Sequence, residues 1–165
     1  MTLALAAYRF AVTALAPLYQ WHATRGLAAD QQIERLGFHK TPRQGVIWCQ
    51  APSVGELDVL APLMPALQEA CDVLITTHST TGAQKAAAMS PLAALAPIDT
   101  PAAVGQFLRT WQPKVAVFVE SDMPPVMLHA LAAQHIPYAL IAARASKTRT
   151  RIPSTVAKLL RPAAL

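Results

Sequence analysis

Charge is scarce in this chain. Only 14% of its 165 residues are charged and nine are acidic, while 53% are apolar. That balance excludes a disordered chain and suggests a sheet buried on both faces. Cysteine is limited to Cys49 and Cys71, with no CxxC spacing and no histidine cluster. A disulfide scaffold and a thiolate metal site are therefore not indicated, and both residues read as reduced, mostly buried thiols of a cytosolic compartment. Aromatic residues are few and alanine is abundant, so helices can pack closely on the sheet. GxGxxG, a P-loop and a nucleophile elbow are all missing, which weighs against hydride transfer and P-loop phosphoryl transfer.

The charge that exists is unevenly placed. Residues 1–142 carry eight Lys/Arg against nine Asp/Glu. Residues 143–165 hold Arg144, Lys147, Arg149, Arg151, Lys158 and Arg161 and no acid. Such a local basic stretch suits phosphate or an anionic lipid surface, with a solvated tail as the plain alternative. At the other end, "MTLALAAYRFAVTALAPLYQW" (1–21) is apolar but interrupted by Arg9 and closed by Pro17. It lacks the layout of a signal peptide. It also falls short of about 20 uninterrupted apolar residues for a span. A helix lying in the membrane interface fits it better, and a core helix remains the alternative on periodicity alone.

Residues 22–44 are polar and punctuated by Gly and Pro, and read as a linker with a short helix. From there apolar, strand-like runs recur at 45–50, 72–78, 92–98, 114–120 and 137–143. Helix-like stretches lie between them, around 54–70, 80–90, 101–111 and 125–135. This alternation implies βαβ units and an α/β domain with a doubly wound parallel sheet over 45–152, followed by a basic helix or tail at 153–165. Pro62 and Pro65 require the helix around 54–70 to kink or restart.

In such a sheet ligands bind beyond the carboxyl ends of the strands. Five acids, Glu56, Asp58, Asp99, Glu120 and Asp122, lie in or just after those junctions. Glu56 follows the turn "APSVG" and has the makings of a general base. Equally, Ser53 and Glu56 have the S-x-x-E spacing of a capping box, which spacing alone favours. Glu120 ends a buried strand, where it serves function, caps the next helix or pairs with Arg144. The segment "THSTTG" (77–82) offers hydroxyls and N–H groups at a helix start, suited to an anion or sugar, though ordinary N-capping is the simpler role. His78 reads as a rim histidine, and Trp48 and Trp111 as packing residues.

Taken in order, "APSVGE", "TTHSTTG", "APIDTPAAVGQFLRTWQPKVAVFVESD" and "HIPYALIAARAS" resemble the N-terminal domain of the 3-deoxy-D-manno-octulosonic acid (Kdo) transferases. The resemblance covers roughly residues 30–152, and the apolar N-terminus looks like that family's membrane-attachment segment. It implies a GT-B glycosyltransferase half that binds a lipid A precursor in lipopolysaccharide core biosynthesis, on the cytoplasmic face of the inner membrane. By the same resemblance Glu56 matches the catalytic base, and Ser53 and Gly55 match its turn. Thr77, Ser79, Thr81 and Gly82 match a T-T-x-T-x-T-G loop. Glu120 matches the first acid of an E-T-E pattern, written here E-S-D. Arg144 and Ser146 match an N-A-R-L-S pattern, with Lys147 following where the family more often has an acid.

The pattern departs in places. Pro52 replaces a small residue, Met123, Pro124, Pro125 and Val126 stand where the family has L-W-P-N, and Ala142 replaces an asparagine. The resemblance implies no cofactor and no nucleic-acid partner, with CMP-Kdo as donor substrate. The donor's nucleotide would sit in a second Rossmann-like domain. A chain ending soon after one domain is expected to be inactive without such a domain, which a separate chain could supply. The alternative is a non-catalytic lipid-binding or membrane-docking module derived from the same half.

Overall fold

Strands that are apolar on both faces need helices on both sides, and that is how this chain folds. The computed structural model describes residues 3–40, 42–119 and 124–142. Five strands, β1 (Ile47–Gln50), β2 (Val73–Thr77), β3 (Leu92–Leu95), β4 (Val115–Val119) and β5 (Tyr138–Ile141), form one sheet in the order β3-β2-β1-β4-β5. Every pairing is parallel. Ile47 is level with Val73 on one side and with Val115 on the other. The remaining registers set Leu74 beside Leu92 and Ala116 beside Tyr138.

Alternate residues of each strand point to opposite faces. Trp48, Leu74 and Phe118 face helices α7 (Pro101–Trp111) and α8 (Pro125–Ala133), packing with Phe107, Leu131 and their neighbours. The Trp48 ring lies 4.8 Å from Phe107 and 5.4 Å from Phe118. Its indole N–H donates to Thr76 Oγ1 at 2.8 Å, so the one polar atom of this large side chain is satisfied. Ile47, Cys49 and Ile75 face the opposite layer, made by α4 (Val54–Leu60), α5 (Met64–Ala70) and α6 (Thr80–Met89). Each fully buried Leu, Ile or Phe stabilises the fold by about 1.5–3 kcal/mol. Of the two outcomes expected for the helix around 54–70, a kink or a restart, the chain takes the restart. A 3₁₀ turn, Ala61–Leu63, separates α4 from α5, and Pro62 and Pro65 each sit in a first turn, where no N–H is required.

The apolar N-terminus differs from the single helix expected over 1–21. It forms α1 (Leu3–Ala14) and α2 (Ala16–Thr24), because Pro17 cannot donate to the preceding turn and instead starts a new helix. Among the described residues no helix is long and apolar enough to cross a membrane. Residues 22–44 contain α3 (Ala29–Arg35), which is fastened to the end of β3. The Leu95 N–H donates to Glu34 Oε2 at 2.9 Å, and the Ile98 N–H donates to the Arg35 carbonyl at 2.9 Å. Gly37 then turns with φ +87°, and a Cβ there would stand 2.2 Å from the Ala103 carbonyl oxygen. Only glycine lets the chain pass so close to α7.

Candidate functional site

The strand order reverses between β1 and β4, and in sheets of this kind a ligand crevice is expected beyond the carboxyl ends of the two strands at that point. The β4 loop (120–123) lies outside the described residues, and with it Glu120 and Asp122. Arg144, Ser146 and Lys147 also lie outside them. The β1 side can be built atom by atom.

Ser53 adopts an extended conformation as the N-cap of α4, and Glu56 stands at its third helical position. The Ser53 N–H donates to Glu56 Oε2 at 2.8 Å, and the Ser53 hydroxyl donates to the same oxygen. The carboxylate thus closes the helix start, the capping role that its spacing suggested. Its other oxygen, Oε1, makes no hydrogen bond among the described residues. Gly55 is exposed beside it, and a Cβ there would touch little more than the Ser53 Oγ at 3.8 Å.

The β2 loop is bound to the β1 loop. The His78 N–H donates to the Pro52 carbonyl at 3.0 Å, and Lys85 of α6 pairs with Asp58 of α4. Ser79 caps α6 by accepting from the Gly82 N–H at 3.0 Å, while the buried Thr77 donates through Oγ1 to the Ser79 carbonyl at 3.1 Å. Gly82 is buried because the turn closes over it, and a Cβ there would lie 3.0 Å from both Ser79 Oγ and Thr77 Cβ. Thr77 and Gly82 therefore build the turn from inside, whereas Ser79 and Thr81 are exposed on its rim. The structure accordingly places Ser53, Gly55 and Glu56 on the β1 turn and Thr77, Ser79, Thr81 and Gly82 on the neighbouring β2 turn, the two turns joined by the hydrogen bond from His78 to Pro52.

A second feature was not legible in the sequence. A cavity of about 270 Å³ lies between the N-terminal helices and the exits of β2 and β3, lined by Tyr8, Tyr19, Arg35, His78, Ile98 and Asp99, among others. Asp99 does not act alone there. Its carboxylate accepts from the N–H groups of Val126 and Met127 at 3.0 and 2.9 Å, capping α8 from 27 residues away. The signal that could have found this is Pro124–Pro125, a helix start with no capping side chain of its own. The Tyr8 hydroxyl donates to Asp99 at 3.5 Å, and burial together with that carboxylate pushes the phenol up to about 12. Burial also lowers the pKa of the Arg35 guanidinium, which donates to the Ala96 carbonyl at 2.6 Å. Nothing in the local pattern of "QQIERLG" sets Arg35 apart from an ordinary surface residue. No cluster of metal-ligating side chains is present among the described residues.

Comparison with known proteins adds to this geometry. Residues 30–164 match the family model described as 3-Deoxy-D-manno-octulosonic-acid transferase (kdotransferase). The 3-deoxy-D-manno-octulosonic acid transferase of Bordetella pertussis is 30% identical over 94% of this chain, which spans 41% of that protein. That of Haemophilus influenzae is 32% identical over 68% of the chain and 29% of its own length. A probable mitochondrial 3-deoxy-D-manno-octulosonic acid transferase of Arabidopsis thaliana is 29% identical over 84% of the chain and 34% of its length. The chain thus spans well under half of each of these relatives.

Proposed function

The chain belongs to the 3-deoxy-D-manno-octulosonic-acid transferase family, and on that footing we propose that it forms the acceptor-binding domain of an enzyme that moves Kdo from CMP-Kdo to a lipid A precursor. A donor-binding domain, on the same or a separate chain, would hold the nucleotide in a GT-B arrangement. In this reading Glu56 Oε1 takes the proton of an acceptor hydroxyl. The freed oxygen bonds to the anomeric carbon of Kdo, and the bond to the phosphate breaks, CMP leaving with its electron pair. The reaction calls for no cofactor.

The observation that carries the proposal is the Glu56 carboxylate at the rim of the crevice, one oxygen fixed by Ser53 and the other unengaged among the described residues. Fixing one oxygen orients the carboxylate for the proton transfer, which geometry must allow before acidity matters. Removing a positioned general base costs about 10²–10⁴-fold in rate. With a donor-binding domain supplied, Glu56→Gln should lose that much Kdo transfer while keeping lipid binding. Wild-type turnover in Glu56→Gln would overturn the assignment.

Membrane attachment belongs to the same proposal. Phe10, Leu18 and Trp21 of α1 and α2 are 77%, 63% and 61% exposed, and the Arg25 guanidinium lies 5.5 Å from the Trp21 ring centroid. Exposed apolar and aromatic side chains beside a cation suit an anionic interface such as the cytoplasmic leaflet of the inner membrane. The basic stretch after residue 142 would add about 1 kcal/mol for each Lys or Arg near that surface. The engagement of Glu56 with Ser53 also favours a second reading, a lipid-docking module without catalysis, in which Glu56→Gln changes neither lipid binding nor any transfer.

A further inference from the structure

β1 is apolar until its last residue, Gln50, which is only 2% exposed at the centre of the sheet. Burying a side-chain amide is unfavourable unless its hydrogen bonds are made, and an apolar side chain would fill the place at less cost. Gln50 has a single side-chain hydrogen bond among the described residues. Its amide N–H donates to Nε2 of His78, between the exits of β1 and β2, at 3.4 Å. Turned over, the same amide accepts from a protonated Nε2, so the bridge serves either tautomer of the ring.

His78 is exposed, and its main chain leads to the turn that carries Glu56. The His78 N–H donates to the Pro52 carbonyl at 3.0 Å, one residue before the Ser53 that holds the carboxylate. On the other side of Pro52, the Ala51 N–H donates to the Thr76 carbonyl at 2.9 Å. Gln50 thus anchors the His78 ring, and His78 anchors the turn.

We propose that Gln50 is a positioning residue for Glu56, fixing through His78 the turn from which the carboxylate meets an acceptor. The inference rests on the proposed role of Glu56 as base. Being buried, Gln50 acts through His78 and touches no acceptor. A misplacement of about 1 Å at a reacting group can cost on the order of 10²-fold in rate.

Gln50→Met, similar in size and unable to form the bridge, separates position from stability. With a donor-binding domain supplied, kcat for Kdo transfer should fall about tenfold or more while the acceptor KM stays unchanged. The urea midpoint should stay at or above that of the wild type, because an apolar side chain replaces a buried amide and the exposed His78 ring can turn to water. Gln68→Met, which removes an exposed amide of α5, should change neither. Unchanged kcat, a rise in KM alone, or kcat and midpoint falling together would each overturn the role. In the Glu56→Gln background Gln50→Met should cost nothing further, and a full second loss overturns the role as well. If Gln50→Met fails to fold, His78→Ala breaks the bridge from its exposed end and should give the same fall in kcat. Wild-type kcat in His78→Ala then overturns it. Amide hydrogen exchange keeps this inference apart from the base assignment. The His78 N–H should exchange faster in Gln50→Met, and unchanged exchange overturns the brace whatever Glu56 does. Faster exchange with wild-type turnover in Glu56→Gln removes the base, and with it Gln50's part in the reaction, while the brace stands.

Discussion

At position 56 one side chain closes a helix start and, in the proposed reading, serves as the base, and substitutions can separate the two. Glu56→Gln keeps an acceptor for the Ser53 N–H, so its stability cost should be small. Glu56→Ala removes the cap contact and should cost about 0.5–2 kcal/mol in urea unfolding. A transfer rate that falls equally in both variants would assign the loss to chemistry rather than to the helix start. Gly82→Ala tests the neighbouring turn. Its Cβ would press on Ser79 and Thr77 at 3.0 Å, and overpacking of that kind costs about 1–3 kcal/mol, read as a lowered urea midpoint. The S-x-x-E spacing made the capping contact at Glu56 legible in advance, because capping is a local interaction. Which face of the β2 turn Thr77 and Gly82 occupy was not legible, because it depends on how the turn closes over Gly82 rather than on residue type alone. Tyr8 carries a pH signature of its own. With its phenol held up to about 12, above the ordinary 10, the neutral form is favoured by the fold. The stability this contributes is fully present below pH 10 and is lost as pH rises through 12. Absorbance titration at 295 nm should show a late component that disappears in Tyr8→Phe.

At the scale of elements, α8 depends on a residue it does not contain. Asp99→Ala leaves the Val126 and Met127 N–H groups without an acceptor and should destabilise the domain by about 1–3 kcal/mol, with Asp99→Asn losing less because one carbonyl oxygen remains. Chemical denaturation of the two variants checks both the size and the order. The alternation of strands and helices was readable because each strand is a short apolar block set between polar turns, a pattern that survives in the sequence. The restart at Pro62 and Pro65 was readable for the same local reason. The splitting of the N-terminal helix at Pro17 was missed, although the same rule applied there. The docking of α3 on β3 could not be read, because Glu34 and Arg35 meet Leu95 and Ala96 some 61 residues on. Contacts at that separation leave no periodic trace.

For the molecule as a whole, Cys49 reports on global opening. It lies fully buried in the central strand β1, and burial pushes its thiol up to about 12. Reaction with a thiol reagent at pH 8 should therefore wait for unfolding, and its rate should fall or rise with stability across the variants above. A rate indifferent to urea below the transition would contradict this burial. The central place of β1 has a further consequence for how the chain is made. Ile47 is flanked by Val73 and by Val115, so one side of β1 acquires its neighbour long before the other. While the ribosome is still delivering α7, the nascent sheet carries a bare row of N–H and C=O groups along its middle strand. Until β4 emerges to cover it, that open seam is where a growing chain would be captured by a chaperone or by another copy of itself.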